Sequence, residues 1–186
     1  MKNTRHLFAF AFALAVAAAT LGQAQPLRAV DIAAEQRSAE MRIAERINAE
    51  RARLAPEAHN LAADPALTEI ARLRSGAMAH GAAFAHEDEN GRFAAADLVH
   101  RDFGPYGAVG ENIMMERDAS RAFDAEAFAR RAVAGWMGSE GHRANILSRN
   151  FDRSGIGVAI NGSYVYATQV FWGPPPKPSR RARRGP

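Results

Sequence analysis

Two histidines and one glutamate are the residues of this chain best suited to chemistry, and each lies in its own short motif. His86 begins the segment His-Glu-Asp-Glu-Asn-Gly, Glu111 lies in Gly-Glu-Asn-Ile, and His142 ends Met-Gly-Ser-Glu-Gly-His. Imidazole nitrogens and carboxylate oxygens are ligands that zinc accepts, and a carboxylate can also act as a base toward a bound water. If the fold brings these residues together, the sequence predicts a zinc site made of His86, Glu111 and His142.

Other roles are open for the same residues. A neutral histidine can donate to a backbone carbonyl and simply hold a loop in place. Glu111 can be a metal ligand, a base, or a carboxylate that fixes the ring of a neighbouring histidine. Ser139 lies close to His142, but the chain has no Gly-x-Ser-x-Gly turn of the kind that presents a serine nucleophile. Asn112 is expected to satisfy backbone groups rather than to do chemistry.

The composition narrows the class of protein. The chain has 186 residues and no cysteine, which excludes disulfides, thiol catalysis and cysteine-ligated zinc. The formal charge of +4 comes from the two ends, because residues 1–24 and 174–186 contain seven of the 24 Lys and Arg residues and no acid. The remainder has 24 − 7 = 17 bases against 20 acids, a net charge of −3. A mildly acidic domain gives no reason to expect specific nucleic-acid binding.

Both ends differ in character from the middle of the chain. Residues 1–24 combine a basic start, an apolar run and small residues before Gln25, which is the pattern of an export signal. We therefore expect a secreted or periplasmic protein, with no membrane span in the mature chain. Residues 174–186 are rich in proline and arginine, which predicts a disordered tail that contacts anionic surfaces less well as salt rises. Residues 25–173 are expected to form one domain.

Periodicity and turn residues indicate the elements that must position the two histidines and the glutamate. Apolar spacing and capping residues predict helices over residues 31–54, 65–79 and 125–138. An Asn-Gly pair between two β-rich segments predicts a hairpin over residues 156–160 and 164–171. Glycines interrupt any period between residues 81 and 110, which predicts a long loop with one short helix. His86 is expected in this loop, Glu111 beside it, and His142 in a glycine-flanked turn after the third long helix.

Six short motifs follow one another along the chain: Ile-Asn-Ala-Glu-Arg at 47–51, His86 with Gly91, Gly-Glu-Asn-Ile at 110–113, residues 136–146, Ile-Gly-Val at 156–158 and Tyr-Ala-Thr-Gln-Val-Phe at 166–171. Their order resembles the CAP superfamily, which unites cysteine-rich secretory proteins, venom antigens and plant pathogenesis-related proteins. The resemblance covers about residues 43–172, and the chain looks most like the short bacterial SCP-like branch that lacks cysteines. The resemblance implies an α+β fold, a three-layer α-β-α sandwich with a small antiparallel sheet.

The resemblance also implies an open cleft that many members line with two histidines and two glutamates. His86, Glu111 and His142 match three of these positions. Ser139 best matches the position of the second glutamate, and Glu140 beside it is the remaining candidate for an acidic role in the cleft.

The diverse binding roles of this superfamily favour a non-enzymatic exported module. Such a module would bind a small molecule, a lipid or an envelope partner through the cleft, with optional zinc. The alternative is a metal-assisted hydrolase of peptides or envelope polymers, with Glu111 as base and both histidines as ligands. Lipid or sterol binding is a third hypothesis, although the sequence shows no long apolar groove.

Overall fold

The computed structural model describes residues 29–117 and 123–175, with side chains from residue 32 onward. Its elements are α1 (Ala29–Leu54), β1 (Ala62–Ala63), α2 (Pro65–Ala79), α3 (Ala94–Phe103), β2 (Ala108–Arg117), α4 (Ala125–Gly138), α5 (Glu140–Leu147), β3 (Arg153–Asn161) and β4 (Tyr164–Gly173). The predicted export signal and nearly all of the predicted tail lie outside these ranges. Within them, no helix has the length and apolar character needed to cross a membrane.

The sheet lies between two layers of helices. Its strand order is β1-β3-β4-β2, with β4 antiparallel to both neighbours and the two-residue β1 parallel to β3. Helices α1, α4 and α5 share one core with one face of the sheet, around Phe128, Trp136 and Phe171. Helices α2 and α3 cover the other face, around Leu67 and Val170. The predicted α-β-α sandwich is therefore confirmed, and its sheet is antiparallel except at β1.

Local signals account for the elements that the sequence predicted well. Asp64 caps α2, because one of its side-chain oxygens accepts from the Ala66 and Leu67 N–H groups at 2.9 and 3.3 Å. Asp124 caps α4 in the same way through the Ala127 N–H at 2.9 Å. The hairpin is also confirmed, but its two-residue turn is Gly162-Ser163 rather than Asn161-Gly162. Asn161 is the last residue of β3 and pairs with Tyr164, and only Gly162 of the predicted pair has a positive φ, of 58°.

Two predictions about local structure are wrong. The loop does not extend to residue 110, because strand β2 begins at Ala108 and pairs with β4 along its whole length, so Glu111 lies within a strand. Gly110 interrupts the alternation of side chains that would have indicated a strand. A larger residue does not fit at this position, because its Cβ atom would lie 2.7 Å from the Phe151 ring. His142 lies in helix α5 rather than in a turn, since α5 begins directly after Ser139 and includes Gly141.

Helix α2 packs against β3 at backbone distance. A Cβ atom at Gly155 would overlap the backbone of Leu67 and Thr68, and one at Gly157 would overlap that of Ala71 and Arg72. One turn further along the helix, Ser75 Oγ donates to the Gly157 carbonyl at 2.9 Å. The short distance between α2 and β3 determines how far across the sheet the side chains on the sheet-facing side of α2 can extend.

We predict that Gly157→Ala lowers the free energy of unfolding by about 2–3 kcal/mol, because the added methyl group forces α2 away from the sheet. Gly135→Ala is the matched control, since nothing lies within 4 Å of the Cβ it would add to helix α4. The control should gain about 0.5–1 kcal/mol from helix propensity. Urea unfolding of both variants measures the difference, and equal stability would contradict the packing described.

Candidate functional site

The structure brings His86, Glu111 and His142 together from three separate parts of the chain. His86 precedes α3, Glu111 lies in the buried part of β2, and His142 lies in α5. His86 Nδ1 is 2.8 Å from Glu111 Oε2. The two imidazole rings lie 5.9 Å apart between centres, at an interplanar angle of 66°. We call this group the histidine cleft.

Arg74 of helix α2 balances the charge of Glu111. Its Nε donates to Glu111 Oε1 at 2.8 Å, and its Nη2 donates to Oε2 at 3.4 Å and to the Ala85 carbonyl at 2.7 Å. The Glu111 side chain is 0% exposed and that of Arg74 only 9%. Both carboxylate oxygens are therefore engaged by the protein itself.

Arg74 is a site residue that the sequence analysis missed. The buried residues of α2 follow helical spacing and form one stripe, which consists of Leu67, Ile70, Ala71, Arg74, Ser75, Met78 and Ala79. A charged residue on such a stripe is unusual, because charged side chains are rarely buried without a partner. This break in the pattern is the signal that could have indicated Arg74.

The two histidines have opposite tendencies to bind a proton. The hydrogen bond with Glu111 raises the pKa of His86 above its usual value of 6.5, although partial burial opposes that shift. Burial lowers the pKa of His142, and the nearby His86 lowers it further. Because a carboxylate can only accept, His86 must carry its proton on Nδ1, which leaves Nε2 as its free ring nitrogen when neutral.

The segment that carries His86 folds back on itself before α3. Asp88 Oδ1 accepts from the N–H groups of Asn90 and Arg92 at 2.8 and 2.9 Å, and Gly91 adopts a φ of 72°. The His86 carbonyl accepts from the Ala94 N–H at 3.0 Å, at the start of α3. These contacts explain why a glycine five residues after His86 belongs to the motif.

Side chains from α4 and α5 close the outer edge of β2. Trp136 Nε1 donates to the Ile113 carbonyl at 3.0 Å, and Asn145 Nδ2 donates to the Glu111 carbonyl at 3.2 Å. Asn112 Nδ2 in turn donates to the His142 carbonyl at 3.2 Å. These hydrogen bonds hold the backbone of β2 at Glu111 close to the backbone of α5 at His142. Asn112 thus satisfies a backbone group, as the sequence suggested.

Among the described residues, neither Glu140 nor Ser139 takes the fourth position of the cleft beside His86, Glu111 and His142. The exposed Glu140 lies in the first turn of α5 and lines a surface groove with Met137, Arg143 and Leu147. Ser139 is half-buried at the N-terminus of the same helix and makes no capping hydrogen bond with its side chain. Neither side chain is hydrogen bonded to His86 or His142 within the described ranges.

His86 and His142 are the residues of the cleft that remain as candidate metal ligands. In the part of the chain that the structure describes, no group of three or more His, Cys, Asp or Glu side chains is arranged to hold a metal. Since both oxygens of Glu111 are engaged, its geometry is that of a group orienting His86 rather than that of a direct ligand. His86 and His142 could hold zinc, with the remaining positions filled by water or a bound ligand.

Known proteins with similar sequences indicate the family of this chain. The model of the CAP family, described as the cysteine-rich secretory protein family, matches residues 44–172. The uncharacterized protein YkwD of Bacillus subtilis is 33% identical over 137 residues, which are 72% of this chain and 47% of YkwD. The chain thus spans about half the length of this relative.

Several solved structures are also similar to this chain. An extracellular protein with an SCP domain from Bacillus anthracis is 25% identical, with a TM-score of 0.63 over 80% of this chain and 44% of that one. An outer surface protein of Borrelia burgdorferi is 15% identical, with a TM-score of 0.60 over 73% of this chain and 92% of its own. NaASP2, solved with Zn²⁺, is 17% identical, with a TM-score of 0.53 over 72% and 78%. The last two share the fold alone. Because the family model matches residues 44–172, this chain belongs to the CAP, or cysteine-rich secretory protein, family.

Proposed function

We propose that this protein is an exported, non-enzymatic CAP-domain module that binds a ligand or an envelope partner at the histidine cleft. We further propose that His86 and His142 can take up zinc there. The observation that carries the proposal is the series of contacts from the buried Arg74 through the buried Glu111 to the partly exposed His86. The export pattern of residues 1–24 supports a location outside the cytoplasm, as does the extracellular relative from B. anthracis.

Glu111 is poorly placed to act as a general base. A base needs a lone pair within reach of the proton that it removes from water or substrate. The Glu111 side chain is fully buried, and its oxygens already accept from Arg74 and His86. Its geometry therefore favours a positioning role, which supports a binding module over a hydrolase that uses Glu111 as base.

The same contacts prepare the two histidines to bind. Glu111 holds the Nδ1 proton of His86, which fixes the ring and makes Nε2 a better acceptor or ligand. The lowered pKa of His142 keeps that imidazole neutral near physiological pH, as a ligand or an acceptor must be. Bound zinc would add a local positive charge that attracts an anionic or carbonyl group of the ligand. The fold relative solved with Zn²⁺ is consistent with such a site.

We predict that Arg74→Met lowers the free energy of unfolding by about 3–5 kcal/mol, because the Glu111 carboxylate remains buried without its counter-charge. Arg92→Met is the matched control, since Arg92 is exposed and pairs with Asp88 and Asp97 at the surface. The control should change stability by about 0–1 kcal/mol. The double variant Arg74→Met/Glu111→Gln should be more stable than Arg74→Met. If it is equally unstable, the unpaired charge is not the cause.

The raised pKa of His86 predicts a pH dependence of stability. Because the folded state binds the His86 proton more tightly, this residue's contribution is fully present below pH 6.5 and is lost as pH rises through the higher folded pKa. We expect the stability difference between the wild type and His86→Gln to shrink on going from about pH 5 to about pH 9. Chemical unfolding across this range measures it, and a difference that grows with pH would contradict the contact with Glu111.

Zinc binding tests the cleft directly. In calorimetric titrations at neutral pH, His86→Ala and His142→Ala should abolish the heat of zinc binding, because each removes a ligand. Glu111→Gln should retain binding but weaken it by about 10–100-fold, since it loses only the orientation of His86. His80→Ala is the control, because this exposed histidine contacts the Gly76 carbonyl at the end of α2. Heats unchanged in both cleft variants would exclude the metal site.

Turnover assays separate the binding module from the hydrolase. The wild-type protein with zinc should show no turnover on peptides or cell-envelope polymers. Zinc-dependent turnover by the wild type would overturn the non-enzymatic proposal. A fall of at least about tenfold in Glu111→Gln at saturating zinc would then identify Glu111 as a catalytic group, because weaker zinc binding no longer accounts for the loss.

A further inference from the structure

A groove lined with arginines lies between helices α1 and α4, beside the start of α5. Its volume is about 590 Å³, and its lining residues include Arg46, Arg53, Arg130 and Arg143. Leu54, Val133 and Met137 form an apolar floor, and Leu54 is 37% exposed. We call this feature the arginine groove. It is separate from the histidine cleft, because none of its lining residues belongs to the group around Glu111.

The groove carries an excess of positive charge on an otherwise acidic domain. Glu50, which pairs with Arg53, is the one acidic residue among those lining it. At its rim, the carboxylate of Glu126 is shared between Arg46, Arg130 and also Arg42. Arg143 has no side-chain ion pair among the described residues. A region this basic attracts an anionic partner.

The ion pairs within the groove can be replaced by ion pairs with a partner at little cost in free energy. The Arg130 and Arg53 side chains are more than half exposed, and Arg46 and Glu126 are about one-third exposed. Solvent-exposed pairs of this kind contribute little to stability. Guanidinium groups also make bidentate contacts with carboxylates, so carboxylates from a partner can replace or share the intramolecular ones.

We propose that the arginine groove binds an acidic peptide segment of a partner protein. The carboxylates of this segment contact Arg130 and Arg143, and one of its apolar side chains covers Leu54 and Met137. A planar membrane surface does not fit a concave groove between two helices, and a polyphosphate would leave the apolar floor uncovered. A peptide with both acidic and apolar side chains satisfies both parts of the groove.

Fluorescence polarisation with a labelled synthetic peptide of repeated Glu-Glu-Leu units tests this proposal. The double variant Arg130→Glu/Arg143→Glu should weaken binding at least about tenfold. The control Arg101→Glu/Arg117→Glu makes the same change in net charge at exposed positions on α3 and β2, outside the groove. It should stay within about twofold of the wild type. An equal loss in both double variants would mean unspecific attraction and would overturn the proposal.

The apolar floor gives a second, independent readout. A peptide of Glu-Glu-Ser units should bind at least about threefold more weakly than the Glu-Glu-Leu peptide. Leu54→Ser should remove most of that preference without changing the binding of the Glu-Glu-Ser peptide. No preference for leucine in the wild type would overturn the peptide assignment.

Two further measurements complete the test. Vesicles of anionic phospholipid should bind no better to the wild type than to the groove variant. Groove-dependent vesicle binding without peptide binding would overturn the proposal in favour of a membrane contact. Circular dichroism and the unfolding midpoint establish that the variants are folded. If charge reversal prevents folding, Arg130→Gln/Arg143→Gln replaces it, with an expected loss of about threefold; unchanged peptide binding in this pair would equally overturn the proposal.

Discussion

A carboxylate that is removed from water is stable only when its charge is balanced and its oxygens accept hydrogen bonds. Glu111 meets both conditions, because Arg74 supplies the charge and His86 occupies part of the remaining hydrogen-bonding capacity. The consequence reaches beyond Glu111 itself, since the same contact sets the ring orientation and the proton position of His86. The chemistry available at the cleft thus follows from the way one buried charge is compensated.

The rest of the fold brings the partners of Glu111 to it. Glycines at 155 and 157 let helix α2 lie directly on strand β3, and Arg74 extends from this helix to β2. On the other side of β2, Asn145 binds the Glu111 carbonyl, and Asn112 binds the His142 carbonyl. A strand edge that could otherwise pair with another chain is used here to hold helix α5 and its histidine. The cleft is therefore formed by a close helix-sheet contact on one side and a closed strand edge on the other.

The sequence could predict the parts of this arrangement that depend on local signals. Caps at Asp64 and Asp124 identify α2 and α4, and the glycine of the Asn-Gly pair identifies the hairpin, because each acts within a few residues. Strand β2 was not predicted, because its pairing with β4 is distant in sequence and its one glycine, Gly110, interrupts the alternation of side chains. The residue types and motifs selected His86, Glu111 and His142, but only coordinates distinguish a carboxylate that orients a histidine from one that binds metal. Arg74 was missed because a charge on a helix is ordinarily read as exposed.

The histidine cleft and the arginine groove are two different surfaces of this CAP domain. We propose that the cleft binds a metal or polar ligand and that the groove binds an acidic peptide. Both proposals assume the described fold, but only the cleft depends on the charge of Glu111. Histidine side-chain ¹⁵N NMR of the metal-free protein tests that dependence most directly. If Glu111 orients His86, neutral His86 carries its proton on Nδ1, and Glu111→Gln lowers the pKa of His86. A proton on Nε2, or a His86 pKa unaffected by that substitution, would contradict this role of Glu111.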